Sequence, residues 1–291
     1  MRIVDAHHHV WDLRVRDQDW ITGAALAPIR RDFPATEYAA VARASGVSAS
    51  VVVQTVTVPE ETPELLALAS RGELVTAVVG WTDLTAPGVA DTLARLRALP
   101  GGDRLVGIRH QVQGEPDPRW LLRPDVLRGL RAVAAAGLVY DLVILPGQLP
   151  AATEVAELLP ELTFVLDHAA KPPVATGDHH VWADAIRRLA ARPNVVCKLS
   201  GLVTEADWRH WRTVDLRPYA DTVLDVFGPE RVLFGSDWPV CRLAASYAEV
   251  LTVARTLTGG LGPAERAAVL AGTAERVYGL PSRGEPSSAG E

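Results

Sequence analysis

Short apolar runs rich in Val, Ile and Leu recur along the chain, separated by longer stretches whose apolar positions fall three and four residues apart. The runs predict strands near residues 2–8, 49–55, 75–81, 105–110, 138–144, 163–168, 194–200 and 231–236. Most of them, such as Ser50-Val51-Val52-Val53 and Val75-Thr76-Ala77-Val78-Val79, are apolar almost without interruption, as strands are when helices cover the sheet. The intervening pattern predicts helices at 36–46, 62–71, 89–99, 123–137, 148–159, 180–191, 219–227 and 246–258. In the fourth of these, Pro124 stands in the first turn, Val126, Leu127, Leu130 and Val133 repeat at helical spacing, and Gly137 is the stop signal. Eight strands alternating with helices predict an α/β fold of the (β/α)8 TIM-barrel type, a single domain over residues 1–280. Parallel neighbours each need a crossover, and closure leaves no exposed edge. An open doubly wound sheet is the rival, but it would carry a glycine-rich first turn, and the first turn here is rich in histidine.

Two stretches fall outside the repeat. Residues 12–34 form a long polar connection after the first strand, which a barrel places on its C-terminal rim, where active sites are built. A last helix, 263–278, is expected to close the bottom or side of the barrel, and the Ser-, Gly-, Pro- and Glu-rich tail 281–291 is expected to be disordered.

Composition narrows the function. The 291 residues are 48% hydrophobic and 22% charged with a formal net charge of −6, which gives no electrostatic footprint for nucleic acid or an anionic membrane. No apolar run reaches the length of a membrane span, and Arg2 and Asp5 interrupt the start too early for a secretory signal, so a cytoplasmic protein is expected. Two cysteines, Cys197 and Cys241, far apart and outside any CxxC pattern, exclude a disulfide scaffold or a zinc knot. Among 29 basic side chains only Lys171 and Lys198 are lysines. Either this is chance, or a compact ammonium is wanted where a planar guanidinium would not serve.

Chemistry-bearing side chains gather at strand C-terminal ends. The first strand ends Asp5-Ala6-His7-His8-His9, and alternation puts His7 and His9 on one face with His8 on the other. The fourth ends Gly107-Ile108-Arg109-His110, the sixth Asp167-His168-Ala169-Ala170-Lys171-Pro172, and the eighth Gly235-Ser236-Asp237-Trp238-Pro239. Each of these residues alone reads equally well as rim packing, but four histidines and Asp237 at the same end form a constellation. Lys198, inside the seventh strand, is expected to face the mouth or a buried carboxylate, because an unpaired ammonium against the apolar wall is too costly to bury. Trp11, Trp81 and Trp238 also close strand ends, as rim packing or as a wall for a sugar-like ring. Nucleophile-elbow, Walker, dinucleotide-binding and HExxH motifs are absent from the sequence.

The first-strand HxH, Asp167-His168 and Gly235-Ser236-Asp237-Trp238-Pro239 resemble the amidohydrolase superfamily. Gly107-Ile108-Arg109-His110 with Glu115-Pro116-Asp117, Asp167 to Pro172, and Cys197-Lys198-Leu199-Ser200-Gly201-Leu202-Val203-Thr204-Glu205 are similar to its branch of sugar lactonases, amidohydrolase-related family 2, which contains L-fuconolactonase and L-rhamnonolactonase. The resemblance runs from residue 3 to about 280. It implies a hydrolase that opens the lactone of a sugar acid, with Asp237 as general base and His168, helped by His110 or a cation, polarising the carbonyl. Arg30, Arg31, Trp81, Arg109, Lys171 and Trp238 become candidates for holding the substrate. Leu145-Pro146 stands where metal-bearing relatives have His-Pro, and His110 closes the fourth strand in place of a bridging lysine or glutamate. The expectation is therefore no required metal, or one divalent cation, zinc first, on His7, His9 and Asp237. A homo-oligomer is compatible with this reading. The rivals are a metal-dependent decarboxylase or hydratase of an unsaturated or aromatic acid, and a non-catalytic protein that binds a sugar acid.

Overall fold

Eight parallel strands lie in chain order in one sheet: β1 (Val4–His8), β2 (Ala49–Val53), β3 (Val75–Gly80), β4 (Leu105–His110), β5 (Val139–Leu142), β6 (Phe164–Leu166), β7 (Val195–Leu199) and β8 (Val232–Phe234). The computed structural model describes residues 1–72 and 74–281. The ring is completed just beyond β8, where His9 N–H donates to Trp238 O at 2.6 Å and Asp237 N–H donates to His7 O at 2.8 Å. This is the TIM-barrel architecture that the alternation of runs predicts, with each crossover helix packed outside.

The two faces of the strands divide the core. Val52, Val78, Ile108, Tyr140, Phe164, Cys197 and Phe234 pack outward against the helices. Val4, Ala6, Val51, Val79, Val165, Val196 and Leu233 fill the barrel interior, where small and β-branched side chains fit the narrowing space. The last helical segment sends Ala271, Ala274, Tyr278 and Leu280 into that inner cluster and so plugs the end opposite the mouth.

Several boundaries differ from expectation for physical reasons. The helix expected at 219–227 begins earlier and runs Thr213–Phe227, because Pro218, which reads as a break, is carried inside it. The terminal helix is interrupted by a π-turn at Ala268–Gly272 between Pro263–Ala267 and Thr273–Tyr278. The rim segment 12–34 contains a short helix, Gly23–Leu26, and a 3-10 turn, Ala27–Ile29. Of the expected tail, residues 282–291 lie outside the described residues. In β1 the alternation is broken: Ala6 and the following His7 both turn inward, at a register shift between Asp5 and His8.

Candidate active site

The interior layer nearest the mouth is charged and buried. Arg109 from β4, Asp141 from β5, Asp167 just after β6, Lys198 from β7 and His7 from β1 are all buried. Lys198 Nζ lies 2.5 Å from Asp141 Oδ2, 2.9 Å from Asp167 Oδ1 and 3.1 Å from His7 Nδ1. Tyr278, rising from the plug, has its hydroxyl 3.0 Å from both Asp141 oxygens. Arg109 donates to Asp167 Oδ2 at 2.9 Å and to Gln54 O and Oε1 at 2.5 and 2.9 Å. Burial works to raise the Asp167 carboxyl, but Lys198, His7 and Arg109 outweigh it and hold the group well below the usual range. The expectation that Lys198 meets a buried carboxylate is met twice.

Above this layer three imidazoles converge on one carboxylate. The Nε2 atoms of His7, His9 and His168 lie 3.8, 3.6 and 3.8 Å from Asp237 Oδ1. His9 Nδ1 is 2.7 Å from Val53 O, an acceptor, so its proton sits there and Nε2 presents a lone pair. That lone pair faces His7 Nε2 at 3.1 Å. His7 Nδ1 lies between Asp167 Oδ1 at 3.2 Å, which can accept a proton from it, and the Lys198 ammonium at 3.1 Å, which can donate to it. His168 Nδ1 meets Ser200 Oγ at 2.8 Å. Burial favours the neutral form of two of these imidazoles: His7 falls well below 6.5 and His168 to about 4. For Asp237 burial acts upward, yet His168 and His9 prevail and its carboxyl is lowered.

The His9 Nε2 lone pair, beside His7 Nε2 and the Asp237 carboxylate, is an arrangement that a cation would complete. His7, His168 and Asp237 offer one atom each within 4.8 Å of one another, and His9 Nε2 stands 3.1 Å from His7 Nε2 and 3.6 Å from Asp237 Oδ1. Three imidazoles and a carboxylate suit a divalent ion of the zinc type. His168 turns inward, where it could supply a ligand that Leu145, 44% exposed at the end of the fifth strand's loop, cannot.

The local backbone is shaped for this convergence. His168, Ala169, Ala170 and Lys171 all have φ between 50° and 58°, a left-handed turn that costs L-residues roughly 1–2 kcal/mol each. It is held by Trp182 Nε1, which donates to Ala169 O at 2.8 Å, and by Lys171 N–H, which donates to His168 O at 2.8 Å. Two motif glycines give room. A Cβ at Gly201 would stand 2.7 Å from His168 Nδ1, and one at Gly235 would stand 2.6 Å from His7 Cβ.

A cavity of about 240 Å3 opens over these groups, lined by His9, His168 and Asp237, by Arg109, Lys171, Thr55, Gln111 and Gln113, and by Trp20, Val143 and Val240. A larger cleft of about 340 Å3 beneath the rim segment is apolar and contains none of the convergent imidazoles. Asp237, His168, His9, Arg109 and Lys171 are therefore brought together as the sequence leads one to expect, with His7 just below.

Other expected positions lie elsewhere. Arg31 is held by both Glu37 oxygens and stacks over Phe33 at 3.7 Å, and Arg30 is tied to Asp17, Gln18 O and Ile21 O, so the rim segment spends both guanidiniums on its own folding. Trp238 is buried, packed on Phe33 and Tyr38 beneath the site. His110 accepts from Trp81 Nε1 at 3.0 Å, which leaves its Nε2 proton to Glu115 at 2.7 Å, and it stacks on Trp120. His110 and Trp81 are held by these contacts and are not among the residues that line the cavity. Sequence reasoning missed Trp20, Thr55, Gln111 and Gln113 as lining residues, and Asp141 and Tyr278 beneath. Only the position of Gln111 directly after β4 carried a signal.

The amidohydrolase family model matches residues 4–280. The chain is 43% identical to an L-fucono-1,5-lactonase of Burkholderia multivorans over 98% of both chains, and 39% identical to one of Burkholderia ambifaria over 94% of both. A crystal structure of an amidohydrolase from Burkholderia multivorans with bound zinc superposes with a TM-score of 0.90 at 42% identity, covering 97% of this chain and 100% of that one.

Proposed function

The chain belongs to the amidohydrolase family, and we propose that it is a lactonase that opens the 1,5-lactone of a sugar acid of the L-fucono type. The observation that carries this reading is the full-length likeness to two L-fucono-1,5-lactonases, and the cavity supports it. The amides and cations of the lining suit ring hydroxyls and a nascent carboxylate, and Val143 and Val240 suit the methyl group of a 6-deoxy sugar.

Lactone opening needs a deprotonated water, a polarised carbonyl and a proton for the leaving ring oxygen. Asp237, ionised at neutral pH, takes a proton from water as its oxygen bonds to the carbonyl carbon. The ring C–O bond then breaks, the proton returns from Asp237 to the ring oxygen, and the new carboxyl ionises. Lys171 replaces His110 as the group that steadies the oxyanion, since its ammonium lines the cavity and feels Asp237 and His168. Ser200 can donate or accept, so His168 can present a proton or a lone pair at Nε2. His7, His9, His168 and Asp237 would hold one divalent ion, which would lower the pKa of bound water and polarise the carbonyl.

Proton release from L-fucono-1,5-lactone, followed with a pH indicator before and after chelation, tests the reading. We expect turnover above the spontaneous rate and, by elemental analysis, at most one divalent ion per chain. A rate no faster than spontaneous opening removes the proposal, whether or not the ligand shifts the melting temperature.

A further inference from the structure

The polar groups around the cavity differ in how far the protein already uses them. The Arg109 guanidinium is committed to Asp167 and Gln54. Thr55 donates its hydroxyl to Glu61 Oε1 at 2.5 Å, and His9 Nδ1 is spent on Val53 O. Gln111 donates through Nε2 to Thr55 O at 2.5 Å. Gln113 is different: its amide oxygen is buried without a hydrogen-bond partner, and among the described residues no group accepts from its nitrogen. Gln113 lines the cavity, and an amide that makes no hydrogen bond within the protein keeps its capacity for one with a ligand.

The backbone that carries this side chain is fixed from several directions. Gln113 N–H donates to Val143 O at 3.0 Å, Gly114 N–H donates to Gln111 O at 2.9 Å, and Gln148 Nε2 donates to Val112 O at 2.7 Å. His110, clamped by Trp81, Glu115 and Trp120, anchors the base of the same turn. A free amide on a braced turn, at the wall of a cavity that also holds the reacting groups, is preorganised for a neutral polar group of the ligand.

We infer that Gln113 is a specificity-determining residue that recognises a ring hydroxyl of the lactone, while Lys171 serves the charge that develops at the carbonyl. The inference rests on the sugar-lactone reading above and adds to it which side chain reads the sugar. Its signature is a dependence on substrate hydroxyls that a merely structural residue would not show.

The test compares kcat/KM for L-fucono-1,5-lactone with that for δ-valerolactone, the same six-membered ester without hydroxyls, in wild type, Gln113→Met, Gln113→Asn and Lys171→Met. In Gln113→Met the preference for the hydroxylated lactone should fall roughly tenfold, the value of one hydrogen bond to a group otherwise left unpaired. Gln113→Asn, with the same amide on a shorter arm, should fall between, and it carries the test if the Met variant does not fold. Lys171→Met should lower both substrates together. An unchanged preference in the Gln113 variants, with wild type active on the sugar lactone, overturns the assignment of Gln113 alone. Wild type that opens δ-valerolactone and no sugar lactone overturns the functional reading, and this inference falls with it.

Discussion

Two carboxylates sit where β1 meets β8, and their surroundings are opposite. Asp5 lies in the wall of the barrel and receives Ser236 N–H at 2.8 Å, Ser236 O–H at 2.7 Å, Tyr247 O–H at 2.9 Å, Tyr38 O–H at 3.0 Å and His7 N–H at 3.2 Å. Asp237, in the loop after β8, has three imidazole nitrogens gathered around one oxygen, none closer than 3.6 Å. Both are buried. Asp5 is a clasp: its oxygens are answered by donors from its own strand, from Ser236 and from two tyrosines, so it joins β1, the loop after β8 and two outer helices. Asp237 is held in place by its backbone and left short of donors, which is the condition of a group kept for something that arrives. The lesson is that burial alone does not mark a site; incomplete satisfaction beside a cavity does.

The contrast fails most plainly if Asp237 proves structural. Asp237→Asn should reduce lactone hydrolysis roughly 10²- to 10⁴-fold without lowering the melting temperature, since an amide keeps the shape but cannot take the proton from water. A variant within threefold of wild type would place the base elsewhere.

Acidification separates the regions next. In the metal-free protein, burial holds the His168 pKa at about 4 against 6.5 in the unfolded chain. The unfolded state therefore binds the proton first as pH drops, so the contribution of this group to stability is full above pH 6.5 and is lost between 6.5 and about 4. Asp5 acts in the opposite sense, because burial raises its carboxyl and protonation there favours the folded state. Denaturant unfolding at a series of pH values should show the His168 loss, and His168→Asn should flatten that window.

Asp5→Asn tests the clasp. It should destabilise the fold by about 1–3 kcal/mol in urea titrations, because the amide turns a donor toward hydroxyls that need an acceptor. The folded fraction should lose far less kcat than Asp237→Asn does. The smallest effect belongs to Arg31→Ala: its pair with Glu37 is partly exposed, so stability should fall by less than about 1 kcal/mol and KM should not move. A raised KM would return the rim segment to the substrate side.

How much of this the sequence discloses depends on whether a residue acts through its own strand or through a partner far away in the chain. Local periodicity reveals the eight strands, and the ends of β1, β6 and β8 reveal His7, His9, His168 and Asp237, because a strand's last residues must stand at the mouth. Arg30 and Arg31 mislead because a polar loop shows its charges but not that they fold back on Asp17 and Glu37. Asp141 is a lone acid in an apolar run, and nothing local discloses that Lys198 and Tyr278 meet it. The left-handed turn is invisible for another reason: Ala169-Ala170 has no turn chemistry, and the conformation is imposed by Trp182 and the groups around His168. Gln113 escapes notice because being unpartnered is a property of the folded neighbourhood.

The reach of Tyr278 from the plug to Asp141 also sets an order of events during synthesis. On the ribosome, β1 and its histidines emerge first, and the Asp141–Lys198 pair exists once β7 has been made. The hydroxyl that shares Asp141 is not available until almost the whole described chain has been translated. The floor beneath these groups is therefore completed by the last helix to emerge, and a nascent chain halted after Asp237 would carry His7, His9, His168 and Asp237 over an unfinished foundation.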